Sequence, residues 1–289
     1  MDNNAGYKNL IKYLIIFLLS SITIINLIII TIPDEHYKHA ITIITLNVTA
    51  VITTILGFVT VYRYGIKGNH ERSYLFLTIG ISLWFFADLF ILYSYFVLGI
   101  DENEQISISD ALWLTGYLFL VLHLTLVIRT IKIRSFSKTI GILSIIVTLF
   151  IIANILGNLP YHLFASNNSN HNNNYNTTNS LEKYGDELEL TVTILYPILD
   201  LSLIVPSVII LLNIYNEYHH LVPLILSTLS LLINAVADNG YTQDYIIGNA
   251  TYWPWDLFYI TDFIIMTGAL LWYNLSHNSN NTVYEKRFD

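Results

Sequence analysis

Residues 82–95 read SLWFFADLFILYSY, an apolar and aromatic stretch with one acid, Asp88, in its interior. The apolar run extends on both sides to the segment 74–98, which is long enough to cross a bilayer as a helix, since a crossing takes ~20 residues. A charged side chain at the centre of a bilayer costs at least ~2.5–3.5 kcal/mol. Asp88 therefore predicts that one face of this helix lies against a polar interior rather than against lipid.

The composition of the chain is also typical of a membrane protein. Of its 289 residues, 54% are hydrophobic and 12% are charged, whereas a soluble domain carries about 25% charged residues. Cysteine is absent, which excludes disulfides and thiolate chemistry. We expect an all-α membrane protein of eight transmembrane helices. The predicted spans are 10–32, 40–62, 74–98, 110–129, 138–157, 190–213, 221–246 and 254–274.

The basic residues predict the orientation of the chain. Of the 13 Lys and Arg residues, all except Lys38 and Lys183 fall in the two terminal segments and in the loops that would share their side. Because Lys-rich and Arg-rich loops stay in the cytoplasm, we expect both termini to be cytoplasmic and the chain to lie in the cell membrane. The loops at 99–109 and 158–189 would then be external.

An internal repeat relates the two halves of the chain. A shift of 150 positions carries Asp88 onto Asp238. With a small gap in the following loop, two further pairs align, Asp110 with Asp256 and Trp113 with Tyr259. Spans one to four thus correspond to spans five to eight. Since an even number of crossings separates the copies, we expect two parallel four-helix repeats.

These assignments divide the chain into four parts. Residues 1–157 contain the first repeat together with span 138–157, which opens the second. Residues 158–189 form a polar, Asn-rich external loop, and residues 190–275 complete the second repeat. Residues 276–289 form a short cytoplasmic tail, which is too small for a soluble output domain, so we expect a stand-alone membrane module that acts through a partner.

Short acidic and aromatic motifs recur along the chain. They are Ala87-Asp88, Tyr93, Tyr95, Gly99, Ser107, Ser109-Asp110, Trp113, Gly116-Tyr117, Tyr196-Pro197-x-x-Asp200, Ala237-Asp238, Tyr241, Gly248, Trp255-Asp256 and Tyr259. This pattern, over residues 40–274, resembles the membrane-embedded multi-span sensor region of bacterial diguanylate cyclases and prokaryotic histidine kinases. The resemblance implies a sensor in signal transduction. That family usually continues into a cytoplasmic enzyme domain, whereas this chain ends after the last span.

Seven aspartates are expected in the outer half of the bundle: Asp88, Asp110, Asp200, Asp238, Asp244, Asp256 and Asp262. Apart from Lys12, Arg129 and Lys138 at the ends of spans, no Lys or Arg falls within the predicted spans. These acids must therefore be protonated, hydrogen-bonded, solvated in a cavity or bound to a cation. We expect an outward-facing acidic cavity whose ligand-binding residues are Asp88, Asp110, Asp200, Asp238, Asp256, Tyr93, Tyr196 and Tyr241. Asp88, Asp200 and Asp238 should face the interior, within reach of a tyrosine or of each other.

Structural roles are the alternative for the same acids. Asp110 and Asp256 lie where helices begin, and Asp is a favoured N-cap. Asp244 would be interfacial, and Asp88, Asp200 and Asp238 would bridge helices. Four histidines are expected in the opposite, inner half, namely His70, His123, His219 and His220. The sequence therefore predicts no metal site, no haem or other cofactor and no catalytic residue.

Three functions remain open. The first is a non-enzymatic sensor or binding module for a small ligand, cation or proton, which acts through a cytoplasmic or membrane partner at the basic segment 129–138. The second is a proton- or cation-coupled transporter or channel, because repeats and intramembrane acids are common in transporters. The third is an intramembrane hydrolase with paired aspartates. The lipid bilayer is an expected partner and nucleic acid is not.

Overall fold

A computed structural model describes residues 3–99, 107–131, 138–151, 180–213, 218–247 and 253–285. Within these ranges there is no strand, and eight helices follow one another: α1 (Asn3–Ile30), α2 (Glu35–Tyr64), α3 (Asn69–Tyr93), α4 (Ile108–Thr130), α5 (Lys138–Ile151), α6 (Ser180–Asn213), α7 (Tyr218–Ile247) and α8 (Trp253–Glu285). A π-helical turn, Ser94–Leu98, extends α3. The predicted all-α architecture of eight helices is confirmed.

The outer surface of the helices is apolar. Seven of the eight described helices are long and apolar enough to cross a membrane, whereas α5 is shorter over its described residues. Large apolar side chains cover the outside, and Phe17 and Phe58, for example, are more than half exposed. Because contiguous apolar surface of this extent is unfavourable in water, the chain is a multi-pass membrane protein.

Local signals in the sequence define several helix ends. Asp34 caps α2 by accepting two N–H bonds from its first turn, at 2.9 and 3.1 Å. Ser107 caps α4, and Asp110 completes a capping box by accepting from the Ser107 N–H. Gly65 and Gly99, which close α2 and the π-helical turn, have φ angles of 72° and 67°, a region that glycine enters without strain.

Several helices extend beyond the predicted limits. α6 begins at Ser180, so residues 180–189, predicted as loop, are helical, and α8 continues to Glu285 through most of the predicted tail. The end turns of the observed spans contain five Lys or Arg residues, Lys12, Lys38, Arg63, Arg72 and Arg129. The prediction that left Lys38, Arg63 and Arg72 outside the spans is wrong. Four of the five side chains are exposed, and long basic side chains tolerate such positions because they reach the interface. Lys38 is instead buried and paired with Glu35. The loop at 158–179 and Gly248 lie outside the described residues.

Six helices form a closed ring. Each of α2, α3, α4, α6, α7 and α8 contacts the next, and α8 returns to α2. α1 packs outside this ring on α8 and α2. α5 also lies outside it, where Leu143, Ile146 and Phe150 pack against Ile204, Val208 and Ala235 of α6 and α7. Exchange of α2–α4 with α6–α8 leaves the order of contacts in the ring unchanged, as two parallel repeats would require, although the duplication itself stays a prediction.

Small residues bring α3 and α4 close together. A Cβ atom at Gly116 would lie 2.5 Å from the ring of Trp84, and one at Gly80 would lie 2.8 Å from a leucine side chain of α4. Close approach through small residues is a common way to pack helices in lipid. At the positions that the repeat aligns with these glycines, α7 and α8 instead carry Ser230 and Asp262, which are hydrogen-bonded to each other.

The topology gathers the acids at one end of the ring. α2, α4 and α8 begin where α3 and α7 end, and six of the seven aspartates expected to cluster lie within about three turns of those helix ends. The seventh, Asp200, lies farther along α6 but is joined to Asp238 through Tyr117. We call this end of the ring the acidic end. Between it and the opposite end the ring is filled by buried apolar side chains, among them Leu77, Ile81, Leu120, Leu203, Leu231 and Phe263. The apolar core therefore holds the acidic side chains in fixed relative positions.

Candidate functional site

A small cavity lies at the acidic end between α2, α3, α7 and α8. Its volume is about 50 Å³, which holds a few waters or a small ion and is far below the ~300–1,000 Å³ of pockets for drug-sized ligands. Three aliphatic side chains complete its lining, and its polar walls are His39, Asn47, Asp88, Tyr241 and Asp256. We call it the acidic cavity.

Asp88 is buried in the wall of the acidic cavity, with 6% of its surface exposed. Its Oδ1 atom accepts a hydrogen bond from Trp113 Nε1 at 3.2 Å, and Asn47 Nδ2 donates to its backbone carbonyl at 3.3 Å. The second carboxyl oxygen receives no hydrogen bond from the described residues. The interior position of Asp88 was predicted, whereas the expected tyrosine partner is replaced by Trp113, which α4 presents opposite it.

Two further oxygen-bearing groups belong to the same cavity. Asp256 lies in the first turn of α8 and receives no hydrogen bond from the described residues; its carboxylate is favoured there by the helix dipole. The amide of Asn47 donates to the Ile43 carbonyl at 3.0 Å and to the Asp88 carbonyl, so its Oδ1 is buried without a partner. The cavity thus presents hydrogen-bond acceptors that lack donors.

A second group of acids lies beside the cavity. The Tyr117 hydroxyl is 2.7 Å from Asp200 Oδ1 and also bonds to Asp238 Oδ2. The Tyr259 hydroxyl donates to Asp238 Oδ1. Asp200 is fully buried and Asp238 is half-buried. Both acids therefore face the interior within reach of a tyrosine, as predicted.

Asp110 and Tyr196, also predicted to bind ligand, join two helices instead. The Tyr196 hydroxyl donates to Asp110 Oδ1 at 2.9 Å, and the Ser107 N–H donates to Asp110 Oδ2 at 2.9 Å. Ser107, not Asp110, is the N-cap, and Asp110 is its partner in the capping box. Since both carboxyl oxygens are occupied, Asp110 ties α6 to the start of α4 and does not line the acidic cavity.

Of the two remaining tyrosines, only one lines the acidic cavity. Tyr241 does so from α7. Tyr93 is 47% exposed, and the prediction that it lines the cavity is wrong. Five residues along a helix turn the side chain by about 140° from its starting direction, so a residue at 93 points away from the interior that Asp88 faces.

His39 is a site residue that the sequence did not reveal. It lines the acidic cavity, and its ring lies 5.1 Å from the ring of Tyr95. The prediction placed the acids and four histidines in opposite halves, and His39, which it did not consider, lies beside the acids. The sequence signal that could have identified His39 is its spacing from Ile43 and Asn47, since the three residues share one face of α2 once Asp34 is recognised as its cap.

Among the described residues, no group of three or more His, Asp or Glu side chains is arranged to hold a metal ion.

The remaining acids have neutral partners of their own. Trp255 Nε1 donates to Asp244 Oδ2 at 2.5 Å. Asp262 is buried and accepts from Ser230 and from Asn234 Nδ2, the latter at 3.2 Å. Neither acid lines the acidic cavity, and the bonds of Asp262 join α7 to α8.

Basic side chains do not neutralise the acidic cavity. In the described ranges the single ion pair joins Lys38 to Glu35, at 2.8 Å. The Lys38 ammonium also lies 4.3 Å from the ring centroid of Trp253. Because Lys38 is held by these two groups at the rim of the bundle, the carboxyl groups of Asp88 and Asp256 face the cavity without a lysine or arginine beside them.

Comparison of the chain with protein-family models, curated proteins and solved structures finds no match. The resemblance of its motifs to membrane-embedded sensor regions therefore stays a prediction. The protein is a multi-pass, all-helical membrane protein with a small acidic cavity at one end of a six-helix ring.

Proposed function

We propose that the protein is a membrane binding module that holds one small monovalent cation, an alkali-metal ion or an ammonium group, in the acidic cavity. A single observation carries this proposal. Asp88, Asp256 and Asn47, whose Oδ1 is buried without a partner, line one cavity, and no Lys or Arg is among the residues that line it. Oxygen acceptors without donors are complementary to a cation or to N–H groups.

The size and the ligands of the cavity favour a monovalent cation over a divalent one. Ca²⁺ takes about 6–8 oxygen ligands, with several carboxylates among them, and Mg²⁺ needs a near-octahedral shell. The described residues provide no such cluster. A volume of about 50 Å³ admits a bare or partly hydrated small ion and excludes a bulky organic cation.

The predicted orientation of the chain supports a sensory role for this site. If the basic loops are cytoplasmic, the acidic end faces outward, and the cavity samples the external medium. α2, α3, α7 and α8 all line the cavity and continue to the opposite end of the ring. A bound cation would thus bias the packing of these helices, and a partner at the basic segment 129–138 would read the change, as the resemblance to sensor regions implies.

The internal repeat supports a shared origin for the two acid sites. Trp113 of α4 donates to Asp88 of α3, and Tyr259 of α8 donates to Asp238 of α7. These donors and acceptors occupy positions that the repeat aligns. In this proposal the Trp113–Asp88 pair of the first copy lies at the cation site, and the second copy keeps the corresponding Tyr259–Asp238 pair at the neighbouring acid site.

Cation-dependent stability tests the proposal. The purified full-length chain in lipid nanodiscs is heated at constant ionic strength in Na⁺, K⁺, NH₄⁺ or tetramethylammonium chloride. We expect the melting temperature to rise with at least one of the small cations and not with tetramethylammonium, because a ligand at ten times its Kd adds about 1.4 kcal/mol of stability.

Variants assign that response to the cavity. Asp88→Asn and Asp256→Asn should abolish it, whereas Asp244→Asn should retain it, because Asp244 bonds to Trp255 outside the cavity. A response of equal size in the unmodified chain and in Asp88→Asn would refute the proposal.

A cation-coupled transporter is the second candidate, since intramembrane acids between repeats also bind transported ions. Broken helices are typical of such sites, but α6 and α7 remain helical through Pro197, Pro206 and Pro223. Uptake of the same cation by liposomes, lost in Asp88→Asn, would select transport over sensing.

For the third candidate, an aspartate-dependent hydrolase, a cavity of about 50 Å³ leaves too little room for a substrate between the two acids.

A further inference from the structure

We propose that Asp200, Tyr117 and Asp238 form a buried proton-binding site in which Asp200 carries the proton and Asp238 is ionised. This proposal rests on the proposed function only for the location of the site at a cation-binding end, and it deepens that function by naming the proton as a second occupant. The proton site is separate from the acidic cavity, since neither Asp200 nor Asp238 lines that cavity.

The number of available hydrogen atoms requires an extra proton. The Tyr117 hydroxyl contacts a carboxyl oxygen of Asp200 and one of Asp238, yet it has a single hydrogen to donate. With both acids ionised, one of these oxygen–oxygen contacts would have no hydrogen between its atoms. Such a contact is repulsive, so one of the two acids must be protonated and donate to the Tyr117 oxygen.

The partners of the two acids identify the protonated one. Both oxygens of Asp238 have a hydroxyl neighbour, Tyr117 at Oδ2 and Tyr259 at Oδ1. Asp200 has one hydroxyl neighbour, Tyr117, besides the carboxyl group of Asp238 itself, and its Oδ2 is buried without a donor. A buried carboxylate oxygen without a donor is far more costly when the group is charged than when it is neutral. The bonding pattern is therefore Asp200 O–H to Tyr117 and Tyr117 O–H to Asp238.

The charges around the pair favour retention of this proton. The nearby titratable side chains from the surrounding helices are His39, Asp88, Asp110, Tyr196, Tyr241, Asp256 and Asp262. The acids and tyrosines among them are neutral or negative, and none of the described Lys or Arg residues is among them. A second negative charge on Asp200 would have no basic side chain to offset it. Loss of the proton would therefore push Asp200 of α6 away from Asp238 of α7.

The proton site adjoins the acidic cavity along two helices. Asp238 is one helical turn from Tyr241 on α7, and Tyr259 is one turn from Asp256 on α8; Tyr241 and Asp256 both line the cavity. Residues three apart lie on the same helix face. A cation in the cavity and a proton at Asp200 therefore act on the same pair of helices, and each should change the affinity for the other.

Infrared difference spectroscopy tests the assignment of the proton. The full-length chain is purified in nanodiscs and measured in tetramethylammonium chloride, so that no small cation is present. The C=O band of one protonated carboxyl group should be missing in Asp200→Asn and present in the control Asp244→Asn. In Tyr117→Phe the band should persist at a shifted frequency, because Asp200 loses the hydroxyl to which it donates.

Thermal stability provides a second readout. An asparagine resembles a neutral aspartic acid, so Asp200→Asn should keep the melting temperature of the unmodified chain, whereas Asp238→Asn should lower it by removing the charged acceptor of two hydroxyl groups. An unchanged carboxyl band in Asp200→Asn overturns the proposal, even if Asp238→Asn fails to fold. If the carboxyl band is lost in Asp200→Asn but the small cations do not bind, only the proposed function is refuted.

Discussion

Neutral donors hold the acids of this bundle in place. Six of the seven aspartates are hydrogen-bonded to Trp, Tyr, Ser or Asn side chains, and Asp256 alone of the seven has no such bond among the described residues. A neutral donor satisfies a carboxyl oxygen without cancelling its charge. The acidic end therefore lacks the Lys or Arg partners that would cancel its negative charge, and in the proposed function this charge attracts a cation.

Two tyrosine variants, each lacking a single hydroxyl oxygen, test whether neutral donors hold the acids in place. Tyr196→Phe removes the donor to Asp110 and should destabilise the protein by about 1–2 kcal/mol, because the acid loses a hydrogen bond that joins α6 to α4. The matched change Tyr93→Phe should stay within about 0.5 kcal/mol, since the side chain is exposed. Thermal unfolding of both variants in the same detergent measures the two losses of stability. Equal losses would mean that the Tyr196 bond does not hold α6.

The sequence predicts the buried acids that recur in both halves of the chain. It fails where the role of a residue depends on the direction in which its side chain points. Asp88, Asp200 and Asp238 were identified from their depth in apolar spans, because lipid exposure of an acid is costly. Tyr93 was misplaced because spacing alone was used, without the rotation of about 140° that five helical residues produce. The Oδ1 of Asn47 was missed for another reason, since its importance depends on where its own amide nitrogen donates.

At the scale of helices, the contact between α3 and α4 sets the position of Asp88. Trp84 packs over Gly116, and its Nε1 donates to the Trp113 carbonyl at 3.1 Å. Trp113 in turn donates to Asp88. The close approach of the two helices thus places the donor of Asp88, and a change in their separation should reach the acidic cavity.

A pair of glycines tests the importance of this approach. Gly116→Ala places a Cβ atom 2.5 Å from the rigid ring of Trp84 and should cost about 1–3 kcal/mol through overpacking. Gly141→Ala on α5 meets nothing within 4 Å and should be neutral or stabilising by up to about 1 kcal/mol, since alanine favours helix. Chemical or thermal unfolding measures the stability of the two variants. A Gly116 variant as stable as the Gly141 variant would show that the helices do not need close contact.

Most helices were predictable because a bilayer imposes their length. The apolar runs gave seven membrane-length helices, and boundaries failed where polar residues continue a helix beyond lipid. α6 begins at Ser180 and α8 ends at Glu285, outside the hydrocarbon-sized segments that hydropathy detects. The start of α2 was predictable in principle, because Asp34 is followed by helix-forming residues and provides an N-cap.

At the scale of the whole molecule, ring closure brings distant parts of the chain together. The acidic cavity joins α2 and α3 from one half of the chain to α7 and α8 from the other. Tyr117 likewise joins α4 to Asp200 and Asp238. Periodicity could predict the helices and the repeat could suggest equivalent pairs, but neither states which helices meet. The composition of the cavity therefore required the three-dimensional arrangement.

The orientation of the molecule is a prediction at the same scale. Because all but two Lys and Arg residues fall on one side of the predicted topology, the loops 99–109 and 158–189 should be external. Reporter fusions that are active only outside the cytoplasm should be active at both loops and inactive when placed in the loop 65–68. A cytoplasmic signal from either external loop would reverse the proposed exposure of the acidic end.

The most direct test of the central claim is to locate a cation in the structure. Crystals of the full-length chain soaked in Rb⁺ or Tl⁺, which substitute for small monovalent cations, allow the ion to be identified by its anomalous scattering. We predict one peak in the acidic cavity, in contact with carboxyl oxygens of Asp88 and Asp256 and with Asn47 Oδ1, and no peak there in Asp88→Asn. An empty cavity in the unmodified chain at saturating cation, or a peak that survives in Asp88→Asn, would contradict the account.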